Sequence, residues 1–242
     1  KIARMLYIGD GIKQNKKEGM RYLKMAADKG DVKSMYFYST FLFDGKENGK
    51  NKEEVIRYLK IAVDNEDIDA ISYYANRLYF GKGIQVNLKE AAKYFKIAAD
   101  KGDANSIYQY GVMLMNGKGI NVDYKEAAKY FKMGIDQNDE SSKLYYDLVI
   151  LRLDDESQPN KKKAIEHIKL MADNGDDEAM FEDAYLLEFG EYGVKMNKQE
   201  AARYYKMSAD LGNSKSMNNY WIMLKDGLEI PRKINDGLRY IE

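Results

Sequence analysis

The chain has 242 residues with 39 Lys plus Arg and 39 Asp plus Glu, so its formal net charge at neutral pH is zero. This balance provides no positive field to gather phosphates, which argues against nucleic acid as a partner. The absence of cysteine excludes disulfides and thiolate chemistry. No run of eighteen apolar residues could cross a bilayer, so no direct membrane insertion is expected.

A polar turn recurs along the whole chain. It reads DKGD from Asp28, DNED from Asp64, DKGD from Asp100, DQND from Asp136, DNGD from Asp173 and DLGN from Asp210. The turns follow one another at steps of 36, 36, 36, 37 and 37 residues. Such a constant period predicts an array of structural repeats.

The segment before each turn predicts a helix, as in NLKEAAKYFKIAAD from Asn87. An Asn or Asp precedes it and caps the first backbone amides. A Glu three residues later can turn its side chain back toward this cap residue. These caps are Asn15, Asn51, Asn87, Asp123 and Asn197. Within the helix, small residues such as Ala91 and Ala92 allow close approach of backbones, and aromatic residues such as Phe95 fill the spaces between them.

The segment after each turn predicts a second helix. In the fourth copy, Ile107, Tyr110, Gly111 and Leu114 form one stripe at i, i+3, i+4 and i+7. The GKGI sequences that begin at Gly81 and Gly117 end this helix, because Gly tolerates a left-handed conformation. Since two short helices cannot bury their apolar faces alone, successive pairs are expected to stack into a superhelix.

The later copies depart from this pattern. The fifth copy lacks the Gly loop, places Lys143 and Asp147 where Ile and a small residue are expected, and has Pro159 before its expected cap. The repeat pattern therefore does not by itself predict how this copy stacks on its neighbours. In the sixth copy Asp183 replaces the usual Tyr, and in the seventh Trp221 replaces the small residue.

The helix, the G-x-G-[IV] loop, the Asn or Asp cap and the EAAKYFKIAADKGD segment together resemble the Sel-1-like repeat (SLR), a relative of the tetratricopeptide repeat. This resemblance implies an all-α fold, a right-handed superhelical α/α solenoid of about seven repeats that forms a single domain over residues 1–242. We expect the first and last repeats to be truncated and the chain to be part of a larger protein. Members of the family act as adaptors and scaffolds.

His167 is the single histidine of the chain. It falls in a position that otherwise holds Tyr, aligned with Tyr22, Tyr58, Tyr94, Tyr130, Tyr204 and Tyr240. This register predicts a packing role, because no partner base, nucleophile or metal-ligand spacing surrounds it. We therefore expect no catalytic residue, no metal site and no cofactor.

The resemblance implies that the first helix of each pair lines a concave face. The residues beside its core stripe then predict a partner-binding surface, and exposed aromatics on such a surface favour peptide recognition. The alternative is that these aromatics only pack between neighbouring repeats. The candidates are Tyr36, Thr40, Phe43, Asp69, Ser72, Asn76, Tyr79, Asn105, Tyr108, Val112, Met115, Phe181 and Tyr185.

Taken together, these observations favour a non-catalytic interaction scaffold or adaptor that binds a peptide segment or domain of another protein. No small-molecule substrate is expected, and a cytoplasmic location fits the composition. Two alternatives stay open: a regulatory or targeting arm of a larger enzyme, such as a kinase or a ubiquitin-ligase complex, and a structural component of a cytoskeletal assembly.

Overall fold

The computed structural model describes residues 1–44, 52–154 and 157–227. These residues form thirteen α-helices and no strand. The predicted cap Asn51, the aligned Tyr240 and the second helix of the seventh copy lie outside the described residues. The chain divides into two compact units, residues 1–138 and residues 139–242.

Unit 1 contains eight helices in its described part. Helices α1, α3, α5 and α7 each precede a partner helix and are called A helices; α2, α4, α6 and α8 are the corresponding B helices. Their bounds are α1 Ile2–Ile8, α2 Lys16–Asp28, α3 Val32–Asp44, α4 Lys52–Asp64, α5 Ile68–Phe80, α6 Leu88–Asp100, α7 Ala104–Asn116 and α8 Tyr124–Asp136.

Unit 2 contains five helices in its described part, of which α9, α11 and α13 are A helices and α10 and α12 are B helices. A short 3₁₀ turn, Glu191–Gly193, follows α11. The bounds are α9 Glu140–Arg152, α10 Gln158–Asp173, α11 Asp177–Phe189, α12 Lys198–Asp210 and α13 Ser214–Asp226. The described residues thus hold six complete helix pairs and the first helix of a seventh.

The predicted helix caps are confirmed at four B helices, α2, α6, α8 and α12. The side chain of Asn87 accepts a hydrogen bond from the backbone amide of Glu90 at 3.1 Å. The Glu90 carboxylate in turn accepts from the Asn87 side-chain amide at 3.0 Å. The backbone amide of Asn87 instead donates to the carbonyl of Leu78 on the preceding A helix. Asn15 and Asn197 make the same pair of side-chain bonds with Glu18 and Glu200. Asp123 accepts from the backbone amide of Glu126.

The recurring polar turn has one conformation in all six copies. Its third residue always has a positive φ, and its fourth residue caps the following A helix through its side chain. Gly fits this left-handed position best, and Asn tolerates it better than most residues do. The third residues are Gly30, Glu66, Gly102, Asn138, Gly175 and Gly212.

Small residues bring the two helices of a pair together, as predicted. A Cβ atom built on Gly111 would lie 2.7 Å from Cε1 of Phe131, so any side chain here would require this ring to move. Phe131 itself is fully buried, as are Phe95, Ala91 and Ala98. Close packing of α7 on α8 therefore requires the glycine.

Tyrosine hydroxyls join neighbouring repeats. Tyr130 on α8 donates to Asp100 at the end of α6 at 2.6 Å. Tyr58 donates in the same way to Asp28, and Tyr204 to Asp173. Each bond connects successive B helices at the polar turn and satisfies a tyrosine whose ring is buried.

The fifth copy corrects one detail of the sequence prediction. Pro159 does not precede the cap; it lies inside the first turn of α10, which begins at Gln158 after the N-cap residue Ser157. Proline is tolerated there because the first amides of a helix have no intrahelical acceptor. The pair still packs, since α10 contacts both α9 and α11 and buries Ile168 completely.

Candidate functional site

Neighbouring A helices of unit 1 contact each other side by side, and the predicted partner-binding residues Tyr36 and Asp69 take part in these contacts. Lys33 on α3 contacts Asp69 on α5 at 2.8 Å. The ring of Tyr36 meets that of Tyr73 edge-on, with centroids 6.0 Å apart. We call the surface formed by Lys33, Tyr36, Asp69, Asn76, Asn105, Tyr108 and Val112 the A face of unit 1.

Polar contacts continue this face from α5 to α7. The Ser72 hydroxyl donates to the N-terminal cap Asp103 at 2.8 Å, and the Asn105 amide lies 3.5 Å from the Ser72 hydroxyl. Asn76 donates to the carbonyl of Ser72 at 2.9 Å. The structure therefore brings together residues that the sequence assigned to two separate repeats.

The thirteen predicted partner-binding residues differ in accessibility. Four are buried, six are partly exposed and three are exposed, so only nine can present side-chain surface to a ligand. The buried residues are Thr40, Phe43, Ser72 and Met115; the partly exposed ones are Tyr36, Asn76, Tyr79, Tyr108, Val112 and Phe181; the exposed ones are Asp69, Asn105 and Tyr185.

The aromatic residues of this set also pack within the protein. Tyr79 meets Phe95 edge-on at 6.2 Å, and its hydroxyl accepts a hydrogen bond from Lys118 at 3.1 Å. Tyr108 lies against Phe131, with centroids 6.4 Å apart. Both tyrosines keep part of their surface exposed. Packing and presentation to a ligand are thus compatible at these positions.

A comparable face in unit 2 follows one stripe of α11. We call Glu178, Phe181, Glu182, Tyr185 and Phe189 the A face of unit 2. Tyr185 is 36% exposed and Phe189 is 51% exposed, with their ring centroids 4.6 Å apart. Glu182 and Phe189 were not among the predicted residues, although both lie at helical spacing from Phe181 and Tyr185.

Ionisable groups on the two faces differ in their pairing. In unit 1, hydrogen bonds to Asp67 and then to Asp69 raise the pKa of Lys33. In unit 2, burial raises the pKa of the Glu182 carboxyl, and the charges of Arg152 and Lys215 oppose that rise. Lys33 is therefore held by two carboxylates, whereas Glu182 makes no hydrogen bond or ion pair with the described residues.

His167 does have a polar partner, which the sequence analysis missed. Its Nδ1 contacts Oδ2 of Asp147, the residue that takes the place of a small side chain on α9. Burial raises the pKa of Asp147, and the hydrogen bond to His167 counteracts this. Asp147 and His167 both depart from the repeat pattern, and they do so within one helix pair. This coincidence in the sequence could have indicated the contact.

Asp183 on α11 is the second buried carboxylate of unit 2. It is 3% exposed, and its Oδ2 has no hydrogen-bond partner among the described residues. Burial raises its pKa to about 6. The nearby charge of Lys169 opposes this rise. Asp183 takes the position where other A helices carry Tyr, and its burial places it in the interior and not on the A face.

Over residues 1–44, 52–154 and 157–227, no group of three or more His, Asp or Glu side chains is arranged to hold a metal ion. In the same ranges, no helix has the length and apolar character needed to span a membrane.

The helix pairs, their capped turns and their shared period define a helical-repeat protein. A model of the Sel1 repeat family matches residues 1–31, 68–103, 104–139, 153–176 and 177–213, which is more than half of the chain. The chain belongs to the Sel1 repeat family, whose members typically mediate protein–protein interactions and whose fold is typically a non-catalytic scaffold. The predicted family and all-helical fold class are confirmed.

Two solved structures share the fold. A Sel1 repeat protein from Oxalobacter formigenes is 22% identical, with a TM-score of 0.75 over 99% of this chain and 94% of the other. A protective antigen of uropathogenic Escherichia coli strains, which displays an SLR fold, is 19% identical with a TM-score of 0.68. The match covers 99% of this chain and 51% of the antigen, so this chain spans about half its length. No curated protein matches the sequence.

Proposed function

We propose that this protein is a non-catalytic scaffold or adaptor that binds a peptide segment or domain of a partner protein on its A faces. In this proposal the A faces correspond to the concave surface expected from the sequence. Binding comes from several shallow contacts spread over adjacent repeats.

The observation that supports this function is the alignment of α3, α5 and α7 in unit 1. Direct contacts between their side chains fix the relative positions of Tyr36, Asp69 and Asn105. Asp69 and Asn105 are exposed, and Tyr36 is partly exposed. Side chains that are already ordered lose little entropy on binding, and tyrosine contributes a large contact area.

Affinity purification with a matched pair of variants tests the proposal. The A-face variant combines Asp69→Ala, Asn105→Ala and Tyr185→Ala, all at exposed positions. The control combines Lys93→Ala, Lys129→Ala and Leu170→Ala, which are exposed positions on the B helices. Proteins recovered from a lysate of the producing cells are quantified by mass spectrometry.

We expect a set of proteins recovered by the wild type and the control to fall at least about tenfold with the A-face variant, because truncating central interface side chains costs more than 1 kcal/mol each at the most important positions. Circular dichroism and the Tm establish that both variants are folded. Equal recovery by both variants would remove the A faces as the binding surface.

A further inference from the structure

The A face of unit 2 carries one carboxylate without a partner. Glu178 is engaged, since the hydroxyl of Tyr145 donates to it at 2.6 Å and Nζ of Lys215 lies 3.9 Å away. Glu182, one turn further along α11, has neither a hydrogen bond nor an ion pair within the described part of the chain. Its surface is partly buried.

The two nearby cations are directed elsewhere. The guanidinium of Arg152 donates to the carbonyl of Leu148 at 2.9 Å. The ammonium of Lys215 lies over the ring of Phe181 at 5.2 Å as well as near Glu178. Both charges act on Glu182 from a distance without bonding to it. Part of its hydration is lost on folding and is not replaced by a direct contact.

Glu182 also stands where other repeats present a different side chain. The equivalent positions on the A helices of the other copies hold Phe37, Tyr73, Gln109, Tyr145 and Asn219. An aromatic or neutral side chain is thus the usual occupant, and a carboxylate changes the chemistry that this position can recognise.

Exposed aromatic surface begins within one turn of this carboxylate. Tyr185 and Phe189 follow Glu182 by three and seven residues, which corresponds to a rise of about 4.5 and 10.5 Å along α11. Their rings contact each other and are 36% and 51% exposed. An extended peptide covers this span in about one to three residues.

We infer that the A face of unit 2 recognises a peptide segment with a Lys or Arg side chain that pairs with Glu182 and an apolar side chain, one to three residues away, that packs on Tyr185 and Phe189. This inference rests on the proposed function, since it assumes that the A face holds a peptide. The cation supplies the hydrogen bonds that Glu182 lacks, and a charge-assisted bond at a partly buried site is stronger than one in open solvent.

A displayed random-peptide library, panned against the whole chain, tests this preference. Wild type is compared with Glu182→Gln, Glu182→Lys and the control Glu166→Gln, whose carboxylate is exposed on α10 and 3.8 Å from Lys162. Binding of one enriched peptide is then measured by fluorescence anisotropy with each variant, at low and high salt.

We expect wild type and Glu166→Gln to enrich Lys or Arg beside an apolar residue, Glu182→Gln to bind the enriched peptide at least about tenfold more weakly, and Glu182→Lys to enrich Asp or Glu instead. Glu182→Gln keeps the shape of the side chain, and its Tm shows whether folding is intact. High salt should weaken binding to wild type more than binding to Glu182→Gln.

The other outcomes separate the two claims. Peptides that bind wild type and Glu182→Gln equally, or that show no basic preference, would overturn the role of Glu182 while the scaffold function stands, provided that Tyr185→Ala weakens them. Peptides that bind but are insensitive to every A-face change, or a complete failure to enrich any peptide, would count against both.

Discussion

Units 1 and 2 use the same helical positions with different residue types. Where unit 1 has Gly111 in the small-residue position of an A helix, unit 2 has Asp147. Where unit 1 has Tyr110 packed edge-on against Tyr130, the sixth copy has Asp183. Unit 1 is thus built from apolar and aromatic contacts at these positions, whereas unit 2 buries carboxylates there.

The three acidic departures of unit 2 show three ways in which a repeat accommodates a carboxylate. Asp147 acquires a histidine partner on the facing helix. Asp183 has an unpartnered oxygen in the interior, and its pKa rises to about 6. Glu182 reaches the surface, where a ligand can pair with it.

The largest loss of stability is expected when the small-residue position of unit 1 receives the aspartate that unit 2 has at Asp147. Gly111→Asp puts a Cβ 2.7 Å from the ring of Phe131 and buries a carboxylate that has no histidine opposite it. Overpacking and an unpaired buried charge together should lower the free energy of unfolding by about 3–5 kcal/mol. Urea denaturation measures this loss.

Gly111→Ala is the matched control, because it adds the Cβ without the charge and gains about 1 kcal/mol of helix propensity. We expect it to be much less destabilising than Gly111→Asp. A loss below about 1 kcal/mol for Gly111→Asp would mean that α7 and α8 are not packed as closely as described.

The next effect concerns the charge of Asp183. Its pKa in the folded protein, about 6, lies above the ordinary value of 3.8. The folded state therefore binds the proton more tightly, and the stability contributed by protonated Asp183 is lost as the pH rises through about 6. Asp183→Asn should raise the free energy of unfolding by about 2–3 kcal/mol at pH 8 and have little effect near pH 3.5.

Denaturation of wild type and Asp183→Asn over a pH series checks this dependence. Asp226→Asn, at an exposed position of α13, serves as the control. Its effect on the free energy of unfolding should show no comparable change with pH. A stabilisation by Asp183→Asn that is the same at both ends of the series would show that Asp183 is not buried as a charge.

A smaller effect is expected from the hydroxyls that join the repeats of unit 1. Tyr130→Phe removes the hydrogen bond to Asp100 and should cost about 1–2 kcal/mol, since the acceptor is charged. Tyr94 occupies the same position one copy earlier and makes no hydrogen bond within the described residues, so Tyr94→Phe should stay within about 0.5 kcal/mol. If chemical denaturation shows the same loss of unfolding free energy for Tyr130→Phe and Tyr94→Phe, the hydrogen bond to Asp100 does not have the assigned role.

Much of the fold could be predicted from the sequence because local chemistry determines it. Asn87 and Glu90 stand at the spacing of a helix cap, and a cap forms there. Gly81 and Gly117 end their helices in the left-handed conformation that their position predicts. These features depend on residues within a few positions of one another, so a single sequence is sufficient.

Contacts across the helix pair were harder to predict. The contact between Asp147 and His167 depends on which faces of α9 and α10 meet. The repeat register alone does not give the distance between these two side chains. The start of α10 at Gln158 was missed because Pro159 was interpreted as a boundary. The A face was located only approximately: Thr40, Phe43, Ser72 and Met115 proved to be buried, while Glu182 was overlooked.

Site-specific photo-crosslinking shows whether a bound partner lies on the A faces. A benzoylphenylalanine side chain is placed at Val112 or Tyr185 on the A faces, and at Lys129 or Leu170 on exposed parts of the B helices. We expect a co-purifying partner to crosslink from Val112 or Tyr185 and not from Lys129 or Leu170. Crosslinks from the B-helix positions alone, with the same partner bound, would contradict this expectation.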